Sequence, residues 1–226
     1  MKRLLILICI AGMSVPAFCA TDMAKLDARV NSARTVLDEI MSTPDKAIPD
    51  GIAKQAVCIG VIPGVVKGAF IIGAEYGQGV VTCRTGHGWS APVFIRLAGG
   101  SFGFQIGGQG TDLVLVAVNQ KGFQDLLKSK FKIGGDASAA AGPVGRDTQA
   151  STDISLHAEL LTWSRSRGLF AGIDLNGVSV SQNQDDTNTF YGGDHSFESI
   201  LHGNVPPTQS SRPFLETVAK YFRRAQ

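Results

Sequence analysis

A chain of 226 residues with 44% hydrophobic and 18% charged side chains can bury one sizeable core, and a single domain is the expectation at this length. That apolar content excludes a low-complexity disordered chain even though 27 residues are glycine. A formal net charge of +2 argues against a partner recognised through whole-domain charge, so no nucleic-acid partner is expected.

The first twenty residues, "MKRLLILICIAGMSVPAFCA", read as a secretory signal peptide over residues 1–20. Lys2 and Arg3 form the basic start, Leu4 to Ala11 form a short apolar stretch, and Pro16 and Ala17 lie near its end. Cleavage after Ala17 places Val15 three residues before the cut and fits better than cleavage after Ala20, which places Phe18 there. Cys19 raises lipoprotein attachment, which Phe18 disfavours. The expected product is exported, periplasmic or envelope-associated, with residues 21–226 as one domain. Removing residues 1–20 leaves 19 basic against 19 acidic side chains, so any anion site must be a local cluster. No later run reaches the roughly 18 apolar residues of a membrane span, so peripheral attachment or solubility is expected.

Residues 22–42 repeat apolar positions at spacings of three and four (Met23, Leu26, Val30, Ala33, Leu37, Ile40), which predicts an amphipathic helix with Asp22 as its cap and Pro44 as its stop. Its polar face mixes Lys25, Arg29 and Arg34 with Asp27, Asp38 and Glu39. Short apolar, β-branched runs follow: "AVCIGVIP", "GAFIIGAEYG", "QGVVTCRT", "PVFIRLAGG" and "SFGFQIGG". "TDLVLVAVN" is apolar throughout and predicts a strand buried on both faces. "KGFQDLLKSKF" predicts a short helix, and Gly134 to Gly145 an extended stretch. "SLHAELLTWSRSRG" and "LFAGIDLNGVSVSQ" read as a long hairpin. "DDTNTFYGG" and "SFESILHG" read as helical turns, and "RPFLETVAKYFRRA" as a closing helix. The fold class is α+β: one domain with a curved, mostly antiparallel sheet or small barrel, flanked by helices at both termini.

The glycine-rich stretch "GGSFGFQIGGQGTDLVLV" does not fit a nucleotide site. The spacing of Gly103, Gly107, Gly108 and Gly110 is wrong for a dinucleotide turn, and the run after them is a strand rather than a helix. "GGDASAAAGPVGR" lacks the lysine and hydroxyl of a phosphate loop. Glycines in successive strands instead suit bulges and bends in a sheet that closes on itself. Cys58 and Cys83 lie in two strand-like runs, and two separately buried thiols are expected slightly ahead of a disulfide. No CxxC motif supports zinc or redox chemistry. His87, His157, His195 and His202 lack metal-ligand spacing. Ser155, His157 and Asp153 form a triad only on paper, so no catalytic residue, metal or cofactor is expected and a hydrolase is the weakest reading.

One local cluster stands out. "KGFQDLLKSKFKIGG" carries Lys121, Lys128, Lys130 and Lys132 against Asp125, with Phe131 among them. Lysines interleaved with an aromatic ring suit an anionic headgroup surface, while a solvated helix end is the plainer alternative. An extended segment would set Lys128, Lys130 and Lys132 on one side and Phe131 on the other; a helix through Lys128 would scatter them.

The blocks "GVVKGAFIIGAEYGQGVV", "GWSAPVFIRLAGGSFGFQIGGQGTDLVLVAVNQKGFQDLL", "KFKIGGDASAAAGPVGR" and "SRSRGLFAGIDLNG" closely resemble the SYLF domain family, from about Met23 to Gly192. The resemblance implies a non-enzymatic domain that binds phosphoinositide-type lipid, with an actin-binding yeast branch and an exported, single-domain bacterial branch. It implies lipid contact through the N-terminal helix and basic residues, here Lys25, Arg29, Arg34, Lys128, Lys130 and Lys132, to which the local pattern adds Phe131. The partner implied is an anionic phospholipid surface, with an envelope scaffold that binds protein as the alternative.

Overall fold

The computed structural model describes residues 18–43, 47–69, 72–102, 110–142, 158–166, 169–172, 175 and 177–223. The chain opens with helix α1 (Phe18–Met41) and the short helix α2 (Asp50–Gln55), then runs through β1 (Cys58–Ala69), β2 (Ile72–Thr85), β3 (Gly88–Trp89), β4 (Val93–Phe102) and β5 (Gly110–Ala117). Helix α3 (Gln120–Leu127) leads into β6 (Lys130–Lys132), followed by β7 (Ala139–Ala141), β8 (Leu160–Ser166), β9 (Leu169–Gly172) and β10 (Ser179–Gln182). Helices α4 (Gln184–Tyr191), α5 (Phe197–Leu201) and α6 (Arg212–Tyr221) complete it. The class is α+β, as expected. Helix α1 begins before residue 22, so Asp22 lies inside it and pairs with Lys25 at 3.1 Å instead of capping.

The main sheet runs β6-β10-β4-β2-β1-β5-β8-β7. Every pairing between named strands is antiparallel except β7 with β8, which makes the sheet mixed. Laid flat, seven steps between the outer strands would separate β6 from β7 by about 34 Å. In sequence those two edge strands are joined by residues 133–138 only, which reach at most about 25 Å when fully extended. Ile133 and Ala137 also bridge one another, so the link is shorter still. The sheet must therefore curl until its edges nearly meet. Three expectations change in detail. Residues 72–77 of "GAFIIGAEYG" join "QGVVTCRT" in one strand, β2, while its Gly68 and Ala69 end β1, which continues past Pro63 through a bulge between Val61 and Val66. The expected long hairpin ends at β9, because β10 crosses to pair with β4 and β6 at the other side of the sheet. The stretch 103–109 and the Ser155–His157 region lie outside the described residues.

Alternation sorts the strand residues into two cores. Inside the curl lie Ile62, Val81, Leu97, Leu113, Leu115, Phe131 and Val180. On the outer face Val61, Val80, Phe94, Val114, Val116 and Trp163 pack under α1, α4 and α6. Strand β5 contributes to both, which explains its unbroken apolar run. Glycine is required where backbones crowd. A Cβ on Gly79 would lie 2.2 Å from the Val61 carbonyl oxygen at the β1 bulge, and one on Gly142 would lie 2.1 Å from the Trp163 ring. Within the bulge Gly64 has φ +60 and its N–H donates to Asp112 Oδ1 at 3.0 Å.

Cys58 and Cys83 are directly opposed in the β1–β2 ladder, with Cα atoms 4.0 Å apart, and form a disulfide. This corrects the expectation of two separate thiols: the residues are adjacent only once the register of two strands is known.

Helix α1 is fastened at its middle and near its C-terminal end as well as along its stripe. Leu26, Val30, Ala33, Leu37 and Ile40 are buried in the outer core. Arg29 donates to Asp186 at 2.5 Å on α4 and to Gln78 at 2.6 Å on β2, and lies over the Phe94 ring. Glu39 pairs with Arg165 on β8, and Asp38 accepts from the Tyr221 hydroxyl at 2.7 Å on α6. That hydroxyl, reinforced by Lys220, holds the Asp38 carboxyl below its usual range.

Candidate functional site

Helix α3 is started by Asn119, whose side chain accepts from the Gly122 N–H at 2.9 Å. Its end is abrupt. Lys128 has φ −66 and ψ 143, so the chain leaves the helix extended and enters β6. Three contacts hold the segment there: Gln182 Nε2 donates to the Leu127 carbonyl at 2.9 Å, Gln182 N–H to Ser129 at 2.9 Å, and Ile133 N–H to Val178 at 2.8 Å. Downstream, Asp136 accepts the Lys132 N–H at 2.8 Å and Gly134 turns the chain with φ +81.

This geometry realises the extended alternative. Lys130 and Lys132 point outward and are exposed, and Phe131 points inward with 2% of its surface exposed. The phenyl ring therefore belongs to the inner core and is not presented to a headgroup surface. Lys128 is set apart too. Its ammonium donates to Asp125 Oδ1 at 2.5 Å, and that hydrogen bond, with the charge of Asp125 behind it, raises the lysine above its usual range. Asp125 is buried, and its Oδ2 has no hydrogen-bond partner among the described residues. Lys121 pairs with Glu159, which also accepts the Ser138 N–H at 2.6 Å. Burial pushes the Glu159 carboxyl up, but the bonds from Lys121 and Ser138 outweigh it and hold the group below its usual range. By contrast, neither Lys130 nor Lys132 has a carboxylate within 4.0 Å among the described residues.

The three cations named on α1 divide similarly. Lys25 is exposed and loosely paired with Asp22, Arg34 is exposed, and Arg29 is tied down in the α1–α4–β2 junction. The apolar stripe of α1 faces the protein, so the helix presents only its polar side to solvent.

The described histidines, His87, His195 and His202, do not assemble. His202 donates through Nδ1 to the Glu198 carbonyl at 2.7 Å and stacks edge-on against Phe123. It borders a cleft of about 350 Å³ with Arg84, Thr85 and Gln120. The Arg84 guanidinium there donates to the Ala56 and Phe222 carbonyls at 3.0 Å each and lies 4.5 Å from the Trp89 ring centre. The cleft thus offers a cation already engaged with backbone. The Asp153, Ser155 and His157 set lies outside the described residues.

The large hydrophobic side chains left exposed among the described residues, Val66 at 53% and Tyr76 at 50%, were not singled out by the sequence. Both sit in runs that read as ordinary strand. Only the cross-strand register, which pairs Val66 with Tyr76, reveals them as one feature.

The fold is thus a single α+β domain whose edge strand β6 presents two exposed lysines with no carboxylate within 4.0 Å among the described residues. The family described as "Ysc84: Las17-binding protein actin regulator" matches residues 98–221. "SH3 domain-containing YSC84-like protein 1" from Rattus norvegicus is 33% identical over 180 residues, covering 79% of this chain and 53% of its own length. The protein of the same name from Homo sapiens is 34% identical over 170 residues, covering 74% and 49%. "LAS seventeen-binding protein 3" from Saccharomyces cerevisiae is 31% identical over 178 residues, covering 77% and 39%. The chain belongs to the Ysc84, or SYLF, family. It spans about half the length of these animal relatives and less of the yeast one.

Proposed function

We propose that this domain binds, without catalysis, to an anionic phospholipid surface of the bacterial envelope through strand β6. The observation that carries the reading is the pair Lys130 and Lys132, outward-facing, exposed and without a carboxylate partner among the described residues, on an edge strand hydrogen-bonded to β10. Point charges of that kind attract headgroup phosphate, each contributing about 1 kcal/mol near such a surface. Exposed Lys25 and Arg34 add charge on the polar side of α1. An exported location is supported by the basic and apolar character of residues 1–20 and by the Cys58–Cys83 disulfide, which an oxidising compartment maintains. No helix among the described residues is long and apolar enough to cross a membrane, which favours peripheral contact for these elements.

The name of the yeast relative, LAS seventeen-binding protein 3, favours a second reading: a module for a protein partner. Sedimentation of the mature chain with phosphatidylglycerol-containing and purely phosphatidylcholine vesicles separates the two. The lipid reading expects recovery with the anionic vesicles only. Equal recovery on both, or on neither, removes it and leaves the protein-binding module.

A further inference from the structure

The ladder between β6 and β10 sets each exposed lysine against a hydroxyl: Lys130 pairs with Ser181, and Lys132 with Ser179. Directly opposed residues in antiparallel strands point to the same face. Phe131 and Val180, the pair between them, are buried, so both lysines and both serines lie on the outer face. The Gln182 N–H donates to the Ser129 carbonyl at 2.9 Å, and the Ile133 N–H to the Val178 carbonyl at 2.8 Å. Hydrogen-bonded and non-hydrogen-bonded positions alternate along such a ladder. The two Lys–Ser pairs therefore fall at the non-hydrogen-bonded positions, where opposed Cα atoms stand about 4.5 Å apart and side chains come closest. Because β6 and β10 are immediate neighbours, the curl of the sheet does not part the members of a pair.

Each pair meets one phosphate with two different groups. The ammonium supplies charge, and the serine O–H donates to a second oxygen of the same phosphate. Ser179 and Ser181 are partly exposed, and neither hydroxyl has a hydrogen-bond partner among the described residues. Asp136, beside the second pair, is committed to the Lys132 N–H at 2.8 Å. The two pairs are alike, and they repeat after two residues on the same two strands, a separation of about 7 Å along the strand axis.

We propose that the two Lys–Ser pairs are two adjacent phosphate seats that together take a headgroup in which two phosphates are joined by a short polyol bridge. The proposal rests on the lipid reading above and names the class of headgroup within it. A headgroup with one phosphate fills a single seat. A bridged pair of phosphates fills both, and its second contact forms within a complex already made, which multiplies affinity without any new charge.

The test compares two lipids of the same phosphodiester chemistry: diphosphatidylglycerol, whose two phosphates share a glycerol bridge, and phosphatidylglycerol, which has one phosphate. Each is carried in phosphatidylcholine vesicles matched for total charge, so screening acts equally on both. Wild type should bind the diphosphatidylglycerol vesicles at least about tenfold more tightly. Ser179→Ala/Ser181→Ala should bind them about tenfold more weakly than wild type, the scale of a hydrogen bond to a charged group, and lose the preference. Its binding to phosphatidylglycerol at low salt, which is set by the lysines, should change little. Ser179→Thr/Ser181→Thr keeps both hydroxyls and should keep the preference. Lys130→Gln and Lys132→Gln, made singly, should each abolish it, because one seat is then lost. Circular dichroism verifies that every variant is folded. If wild type binds the two vesicles equally, the paired seats are overturned and the lipid reading stands. If the folded alanine variant keeps the full preference, the seats are likewise overturned. If wild type binds neither vesicle, the lipid reading itself falls.

Discussion

Replacing both Lys130 and Lys132 by glutamine tests the charge argument directly. Both side chains are exposed, and glutamine keeps the extended backbone and most of the stem, so Phe131 stays seated between them in the core. Two charges at about 1 kcal/mol each correspond to roughly a thirtyfold loss of affinity for an anionic surface, at about 1.4 kcal/mol per decade. The loss should be largest at 0.01 M salt, where the screening length is about 30 Å, and should largely vanish near 1 M, where it is about 3 Å. Vesicle co-sedimentation across that range measures both numbers. Lys121→Gln is the control, because Lys121 already sits on Glu159. A folded double variant that binds as tightly as wild type at low salt would refute the assignment of β6 and move any lipid contact to Lys25 and Arg34 on α1.

Lys128→Gln should behave differently from its neighbours: it leaves the buried Asp125 without its ammonium partner, so the unfolding midpoint should fall while vesicle binding changes less than in the double variant. Reduction of Cys58–Cys83, or the Cys58→Ser/Cys83→Ser pair, should lower unfolding free energy by about 3 kcal/mol for a cross-link spanning 25 residues, as read by urea titration with and without reductant. Glu159 is held below its usual range in the folded state, so it adds stability above the ordinary carboxylate range and loses it as pH falls through its lowered folded value. Glu159→Gln should therefore flatten the acid limb of a stability–pH curve.

Helix α1 was legible because its apolar stripe keeps one period and strand β5 because its apolar run is unbroken, and the terminal helix α6 likewise placed Phe214, Val218 and Phe222 in the core. The curl was legible only as glycines in need of a reason. Its proof is the register that sends β10 back between β4 and β6, a contact between residues some eighty positions apart that no local pattern encodes. The same limit hid the disulfide and the Val66–Tyr76 pair. Phe131 was misplaced for a local reason: interleaving reads alike on a surface and at an edge strand with one buried face, until the other strands show which side is inside.

The insertion of β10 between β4 and β6 has a consequence for the order in which the molecule can be made. A chain emerging from its amino end lays down β4 and β6 long before β10 exists, so the strand that belongs between them arrives last. Until Ser179–Gln182 has docked, both neighbours hold unsatisfied backbone groups along open edges, the kind of surface on which chains stick to one another. A fragment ending before Ser179 should therefore be a poor solitary domain however native its first hairpin, and docking of β10 marks the point at which the newly made chain becomes safe from its own copies.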